Sequence, residues 1–314
     1  MNANKFKSKS FLLAALTVAY AVMWIGGVGR YALHGGSQHL QPPLQLLDAP
    51  WAASVFLTLA GLLVLVTSRG SDLIGLLAAA LLGFTAEIIG VRYGFIFGPY
   101  RYTDVLQPQL LDTPLVMMSA WMVLVSYCRE MLIALNLPRL IEAALAALWM
   151  TAIDLVIDPL AANQLGYWRW ARPGAYYGIP LQNFAGWFVV SFIIFGVFGR
   201  RPPKIPLKIR TRRTNQAARY VGLSIVLFFT VIALACGLAL AGSVGLGLCL
   251  AHLALAGPSR INGFKSGKKG ERGTNGNNGT DGNFPIFFRT FPFDPFIPSI
   301  QRSLTVLVGG PAIE

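Results

Sequence analysis

Charged residues are scarce in this chain: Asp, Glu, Lys and Arg make up 12% of its 314 residues, and mean hydropathy is +0.56. Soluble globular domains carry about twice that charge, so this class is excluded. Histidine occurs three times, as His34, His39 and His252. That is too few for the clustered imidazoles of an oxygen-dependent di-iron membrane hydroxylase. The three cysteines, Cys128, Cys236 and Cys249, sit within or at the ends of apolar runs without CxxC or metal-ligand spacing, which makes them packing residues. No GxGxxG follows a strand, so a flavin or nicotinamide enzyme lacks support. The expectation is therefore no metal and no cofactor.

What the chain has instead is apolar length, with hydrophobic residues making up 54% of it. A helical crossing of a bilayer needs about 20 predominantly apolar residues. Seven stretches qualify: Phe11–Gly29, Trp51–Thr67, Asp72–Val91, Thr113–Leu135, Arg139–Leu160, Asn183–Gly199 and Arg219–Ala241. Val244–Ala256 is a short eighth candidate. The expected fold is all-α, a polytopic transmembrane bundle of seven to eight spans. The first span also resembles a signal peptide ending at Ala19-Tyr20-Ala21, but its apolar run continues to Val28, which favours a retained helix.

The formal net charge of +13 does not point to nucleic acid. With Lys5, Lys7 and Lys9 on the cytoplasmic side and alternation at each span, inside segments before residue 257 hold 14 basic residues. Outside segments hold 5, namely Arg30, Arg92, Arg101, Arg169 and Arg172. This asymmetry follows the positive-inside rule. It predicts a multi-pass protein of the cell membrane with a cytoplasmic N-terminus.

Two domains are expected, a membrane body at 1–256 and a tail at 257–314. In the tail, glycine recurs at every third position from Gly267 to Gly282, the collagen period, but no proline occupies the intervening positions. A disordered, Gly-rich, low-complexity segment is the expected state.

Ionisable groups inside a span are costly and mark candidate functional sites. Glu142, at the start of its helix, needs no function beyond the helix N-terminus. Glu87, Asp154 and Asp158 differ. Asp154 and Asp158 are four apart, hence on one helix face. All three fall in the last turns of outward-running spans, at one depth. A structural role capturing Arg92, Arg169 or loop amides is one reading; acid catalysis is the other. Neighbouring buried carboxyls favour different protonation states, one a donor and one an acceptor.

Two aromatic loops lie above them. One reads Gly94-Phe95-Ile96-Phe97-Gly98-Pro99-Tyr100-Arg101-Tyr102, the other Tyr167-Trp168-Arg169-Trp170 followed by Tyr176-Tyr177-Gly178-Ile179-Pro180. Interfacial anchoring accounts for single Trp or Tyr residues, but the density here exceeds it. Aromatic faces stabilise cations by roughly 2 kcal/mol when desolvated. Acids beneath an aromatic box point to cationic chemistry on an alkene.

The stretch Glu87–Tyr102, Asp154–Pro159, Trp168–Trp170 and Tyr177–Trp187 resemble motifs of the membrane-embedded carotenoid biosynthesis family, of the γ-carotene 1′-hydroxylase and bisanhydrobacterioruberin hydratase type. The resemblance covers roughly Leu12–Ala256. It implies cofactor-independent addition of water to the terminal C1–C2 double bond of an acyclic ψ-end carotenoid, such as lycopene or a γ-carotene-like substrate. Glu87, Asp154 and Asp158 are then the candidate catalytic residues, with Asp158 first. Tyr93, Phe97, Tyr100, Tyr102, Trp168, Trp170, Tyr177, Asn183 and Trp187 are candidate substrate-binding residues, with Asn183 as a water holder. Implied partners are the carotenoid, the bilayer and other carotenoid enzymes, with no nucleic acid. A membrane lycopene cyclase is the nearest alternative, since it shares the protonation step. A transporter using the acids as a proton relay is less favoured, because no internal repeat links the halves. A non-enzymatic scaffold is the remaining alternative.

Overall fold

The structure, a computed structural model, describes residues 3–34, 51–68, 70–135, 137–198 and 215–256. The tail from 257 onward and the basic segment at 200–214, with the readings made of them, lie outside the described residues. Eight α-helices dominate the described residues: α1 Ala3–His34, α2 Trp51–Thr67, α3 Ser71–Tyr93, α4 Met117–Leu132, α5 Arg139–Asn163, α6 Leu181–Phe198, α7 Gln216–Ala235 and α8 Ala239–Ala256. Four short strands fill the connections: β1 Tyr100–Tyr102, β2 Gln109–Leu110, β3 Thr113–Pro114 and β4 Trp168–Trp170. Five helices are long and apolar enough to cross a membrane, while α2 and α8 are shorter apolar helices. At 1.5 Å per residue, a 20-residue helix spans about 30 Å, the thickness of the hydrocarbon core. The protein is thus a helical membrane protein.

The fourth helix begins later than hydropathy predicts. Thr113 and Pro114 pair with Gln109 and Leu110 in a small antiparallel hairpin, so α4 starts at Met117 rather than Thr113. Every residue from Trp121 to Leu132 is buried. The helix packs against α2, α3, α5 and α7 and sees protein on all sides. That burial is what lets it carry Arg129 and Glu130. Arg129 lies 3.9 Å from Asp72 and 3.6 Å from Glu130, and Glu130 accepts the Asn215 backbone N–H at 3.1 Å. The Asn215 side chain donates to Ser68 Oγ and caps α7 by accepting from Ala218 N–H. One polar knot therefore ties α2, α3, α4 and α7 at the end of the bundle opposite the aromatic loops. Higher up, α3 and α4 approach closely at Gly83, where a Cβ would sit 2.2 Å from the Trp121 ring.

The seventh and eighth helices also differ from the expectation. The apolar run through Ala241 conceals a turn: α7 ends at Ala235, and Gly237 takes a left-handed φ of 73°. Leu238 N–H donates to Ala233 C=O at 2.8 Å and Gly237 N–H to Leu234 C=O at 3.1 Å, a Schellman closure. The eighth helix then runs 18 residues from Ala239, longer than the predicted Val244 start. Hydropathy cannot register this turn, because Cys236, Gly237 and Leu238 are all apolar.

Candidate active site

The two aromatic loops, separate in sequence, form one two-stranded sheet. β1 and β4 pair antiparallel with Tyr100 opposite Trp170, Arg101 opposite Arg169 and Tyr102 opposite Trp168. Alternate residues of a strand face opposite sides. Four aromatics therefore share one face and two exposed arginines the other. The Tyr100 and Trp170 rings lie 5.0 Å apart and those of Tyr102 and Trp168 5.8 Å apart. Phe97 extends the cluster, 6.3 Å from Tyr100 and 5.9 Å from Trp187.

The acids lie under this aromatic face. Glu87, Asp154 and Asp158 are 3%, 5% and 1% exposed. Glu87, in the penultimate turn of α3, accepts three hydrogen bonds. Tyr100 and Tyr102 donate to Oε2 at 2.5 and 2.9 Å, and Trp121 Nε1 donates to Oε1 at 3.1 Å. Burial foremost, and then the adjacent Glu87 carboxyl, push both phenols well above their ordinary pKa, so they remain donors. Asp158 accepts from Trp168 Nε1 at 2.7 Å and from Asn183 Nδ2 at 2.6 Å. The same Asn183 amide donates to Asp154 Oδ2 at 2.7 Å. An amide nitrogen carries two hydrogens, and here each serves one aspartate. Trp170 Nε1 is a buried donor directed towards Asp158 but without a protein acceptor in bonding geometry.

Proline shapes α5 beside this pair. Pro159 has no N–H, so the carbonyl of Leu155 loses its helical partner. Tyr176, from the second aromatic loop, donates to that carbonyl at 2.9 Å. The loop is thereby stitched to the helix one turn from Asp158. Tyr176→Phe is expected to orphan the carbonyl and cost about 1–3 kcal/mol. A thermal melt in detergent indistinguishable from the parent's would refute this.

Most of the predicted site residues meet here: Glu87, Asp154, Asp158, Phe97, Tyr100, Tyr102, Trp168, Trp170, Asn183 and Trp187. Two stand apart. Tyr93 is 68% exposed and contacts Phe95. Tyr177, held at a φ of 51°, accepts through its hydroxyl the Leu240 N–H in the first turn of α8. Sequence reasoning missed Trp121 and Tyr176. Trp121 both donates to Glu87 and stacks on Trp187 with centroids 4.5 Å apart. It sits inside an apolar span, where a Trp draws no notice.

Fold and site together define a polytopic helical membrane protein with three buried carboxyls under an aromatic lid at one face. Residues 50–252 match the profile of the carotenoid biosynthesis protein family, and the chain belongs to that family. It is similar to bisanhydrobacterioruberin hydratase of Haloarcula japonica, with 34% identity over 144 residues. That alignment covers 44% of this chain and 48% of the relative, so the chain spans about half the length of the curated protein it matches. No solved structure matches.

Proposed function

We propose that the protein is a carotenoid 1,2-hydratase, adding water across the terminal C1–C2 double bond of an acyclic ψ-end carotenoid to give a tertiary alcohol. The observation that carries this reading is the enclosure of three carboxyls, with unequal numbers of donors, beneath one aromatic face. Hydrogen bonds from donors favour a carboxylate's charged form. Glu87 receives three and Asp158 two, but Asp154 only one. Asp154 is thus the carboxyl best placed to carry the proton. This reverses the ranking that put Asp158 first.

Asp154 delivers its proton to C2, and the alkene π electrons form the new C–H bond. The tertiary cation left at C1 faces the π surfaces of Tyr100, Tyr102, Trp168 and Trp170, which stabilise it as water is excluded. Water between the Trp170 N–H and the Asp158 carboxylate attacks C1 and passes its surplus proton to Asp158. Return of that proton from Asp158 to Asp154 restores the starting state. No electrons are exchanged, so the chemistry asks for no redox cofactor.

The test is expression in a lycopene-accumulating bacterium, with pigment analysed by mass. Gain of one or two waters, the oxygen coming from heavy-oxygen water, is the expected result. An isomer of unchanged mass would instead show a cyclase, in which a ring-forming double bond quenches the same cation. Unchanged lycopene, with the protein present in the membrane, would sink the enzymatic reading.

We further propose that the acid–aromatic face lies on the non-cytoplasmic side of the cell membrane, as the basic-residue asymmetry supports. If all eight helices cross, a reporter fused after Ala256 is expected to read cytoplasmic, on the same side as the N-terminus. A periplasmic signal would overturn this orientation.

A further inference from the structure

A cavity of about 280 Å³ lies between α1, α2 and α7, away from the acids but at the same end of the bundle. Its apolar wall includes Met23, Phe56, Leu57, Phe228 and Phe229. The aromatic side chains among these stack as a ladder, Phe56 on Phe228 at 5.2 Å and Phe228 on Phe229 at 5.3 Å. The wall also carries Arg30, Tyr31 and Gln164, and the segments that continue the aromatic sheet add Val105 beyond β1 and Leu165 and Tyr167 before β4. These segments are bound together, since Thr103 N–H donates to Tyr167 C=O at 3.0 Å and Thr103 Oγ1 to Gly166 C=O at 2.6 Å.

The cavity is therefore two rings from the acids. The Tyr167 ring in its wall is 6.2 Å from the Trp168 ring, whose indole N–H bonds Asp158. On its other side stands α1, the least buried of the long helices, with Phe11, Val18, Val22 and Ile25 exposed. Trp24 Nε1 pins α1 to the Ser224 carbonyl at 2.7 Å, and the Tyr20 and Ser224 hydroxyls bond at 2.8 Å. Above this clamp α1 carries Gly26, Gly27 and Gly29, a stretch with little side-chain bulk. A Cβ on Gly27 would lie 2.7 Å from the Phe228 ring. Only glycine there leaves that ring its place in the wall.

We infer that this cavity binds the stretch of an acyclic isoprenoid chain just behind its reacting terminal double bond, held against the phenylalanine ladder beside the lipid and next to the Trp168–Asp158 pair. The inference rests on the hydratase reading for the identity of the chain. Its volume falls just below the roughly 300–1,000 Å³ of small-molecule sites, so it takes a short stretch next to the reacting end and leaves the rest of a long polyene outside. Continuity with the aromatic sheet, the phenylalanine ladder on one wall and the lipid-facing position of α1 fit that occupant.

The test uses purified full-length protein in detergent with lycopene as probe, counting bound pigment per protein by visible absorbance. Gly27→Leu and Ala53→Trp fill the cavity from two different helices. Each is expected to lower bound lycopene by at least about tenfold. Gly29→Leu is the matched control, because a Cβ there meets nothing within 4 Å, and it should bind as the parent does. If Gly27→Leu fails to elute as a folded species, Ala53→Trp decides alone. Parent protein that binds no lycopene, or filled variants that bind like the parent, overturns the inference. The readout does not need turnover. Loss of binding in the filled variants would stand even if Asp154→Asn hydrated normally, an outcome that sinks the acid assignment instead. Filled variants that bind and hydrate fully would sink the cavity and leave the hydratase reading intact.

Discussion

Asp154→Asn is expected to lose hydration by about 10²- to 10⁴-fold, the usual contribution of a positioned acid, while the protein keeps its thermal stability. The reason lies in which atoms face which. Asp154 meets the Asn183 amide through Oδ2 alone, and an asparagine can present its carbonyl oxygen at that spot. The geometry survives, but the transferable proton does not. Asp158→Asn cannot be so clean. Asp158 offers one oxygen to the Trp168 N–H and the other to the Asn183 N–H, so an asparagine must set its own NH₂ against one of these donors. Loss of activity should then come with a destabilisation of about 1–3 kcal/mol. Measuring product pigment per protein together with the melting temperature separates the two variants. Full hydration by Asp154→Asn would move the proton to another carboxyl.

Glu87→Leu should be the most disruptive single change at the site. It would strand three buried donors, the phenols of Tyr100 and Tyr102 and the indole of Trp121. Each orphaned donor costs about 1–3 kcal/mol, so a loss on the order of 3–9 kcal/mol is expected for the three. Glu87→Gln should lose much less, since a hydroxyl can turn round and accept from an amide whereas an indole cannot. The Gln carbonyl is then expected to stay with Trp121 and its NH₂ to face the tyrosines. Adding Tyr100→Phe and Tyr102→Phe to Glu87→Leu should recover stability, because the stranded hydroxyls are gone. Strict additivity of the three changes in thermal melts would show that the network is not coupled.

The spans and the acids were legible because both follow from the cost of exposing polarity to lipid. Long apolar runs identify helices, and a carboxyl within one is conspicuous. The i, i+4 spacing of Asp154 and Asp158 by itself puts them on one helix face. The lid was legible only in part. Its two strands read as loops, although the repeated pattern aromatic–Arg–aromatic in Tyr100–Tyr102 and Trp168–Trp170 carries the period of two that marks a strand. Three residues are too few to show a period convincingly, and nothing in either segment announces the other as partner. The start of α4 and the turn at Gly237 escaped for the opposite reason. Apolar residues continue through both, and the local backbone is set by pairing and by a left-handed glycine rather than by polarity. Trp121 and Tyr176 act through single polar atoms on otherwise hydrophobic side chains, which composition does not weigh.

Pairing between β1 and β4 sets an order of events during synthesis. Residues 100–102 reach their face of the membrane when the third helix is inserted, yet Tyr100 and Tyr102 have no strand partner until residues 168–170 arrive. The fourth and fifth helices must both be threaded through the bilayer before that, and the fifth brings Asp154 and Asp158 with it. Asn183, the donor both aspartates share, follows only with the sixth. A nascent chain halted after the fifth helix would hold all three carboxyls but could not bridge its two aspartates. Assembly of the centre is therefore a late event in biogenesis, reached only after most of the bundle is in the membrane.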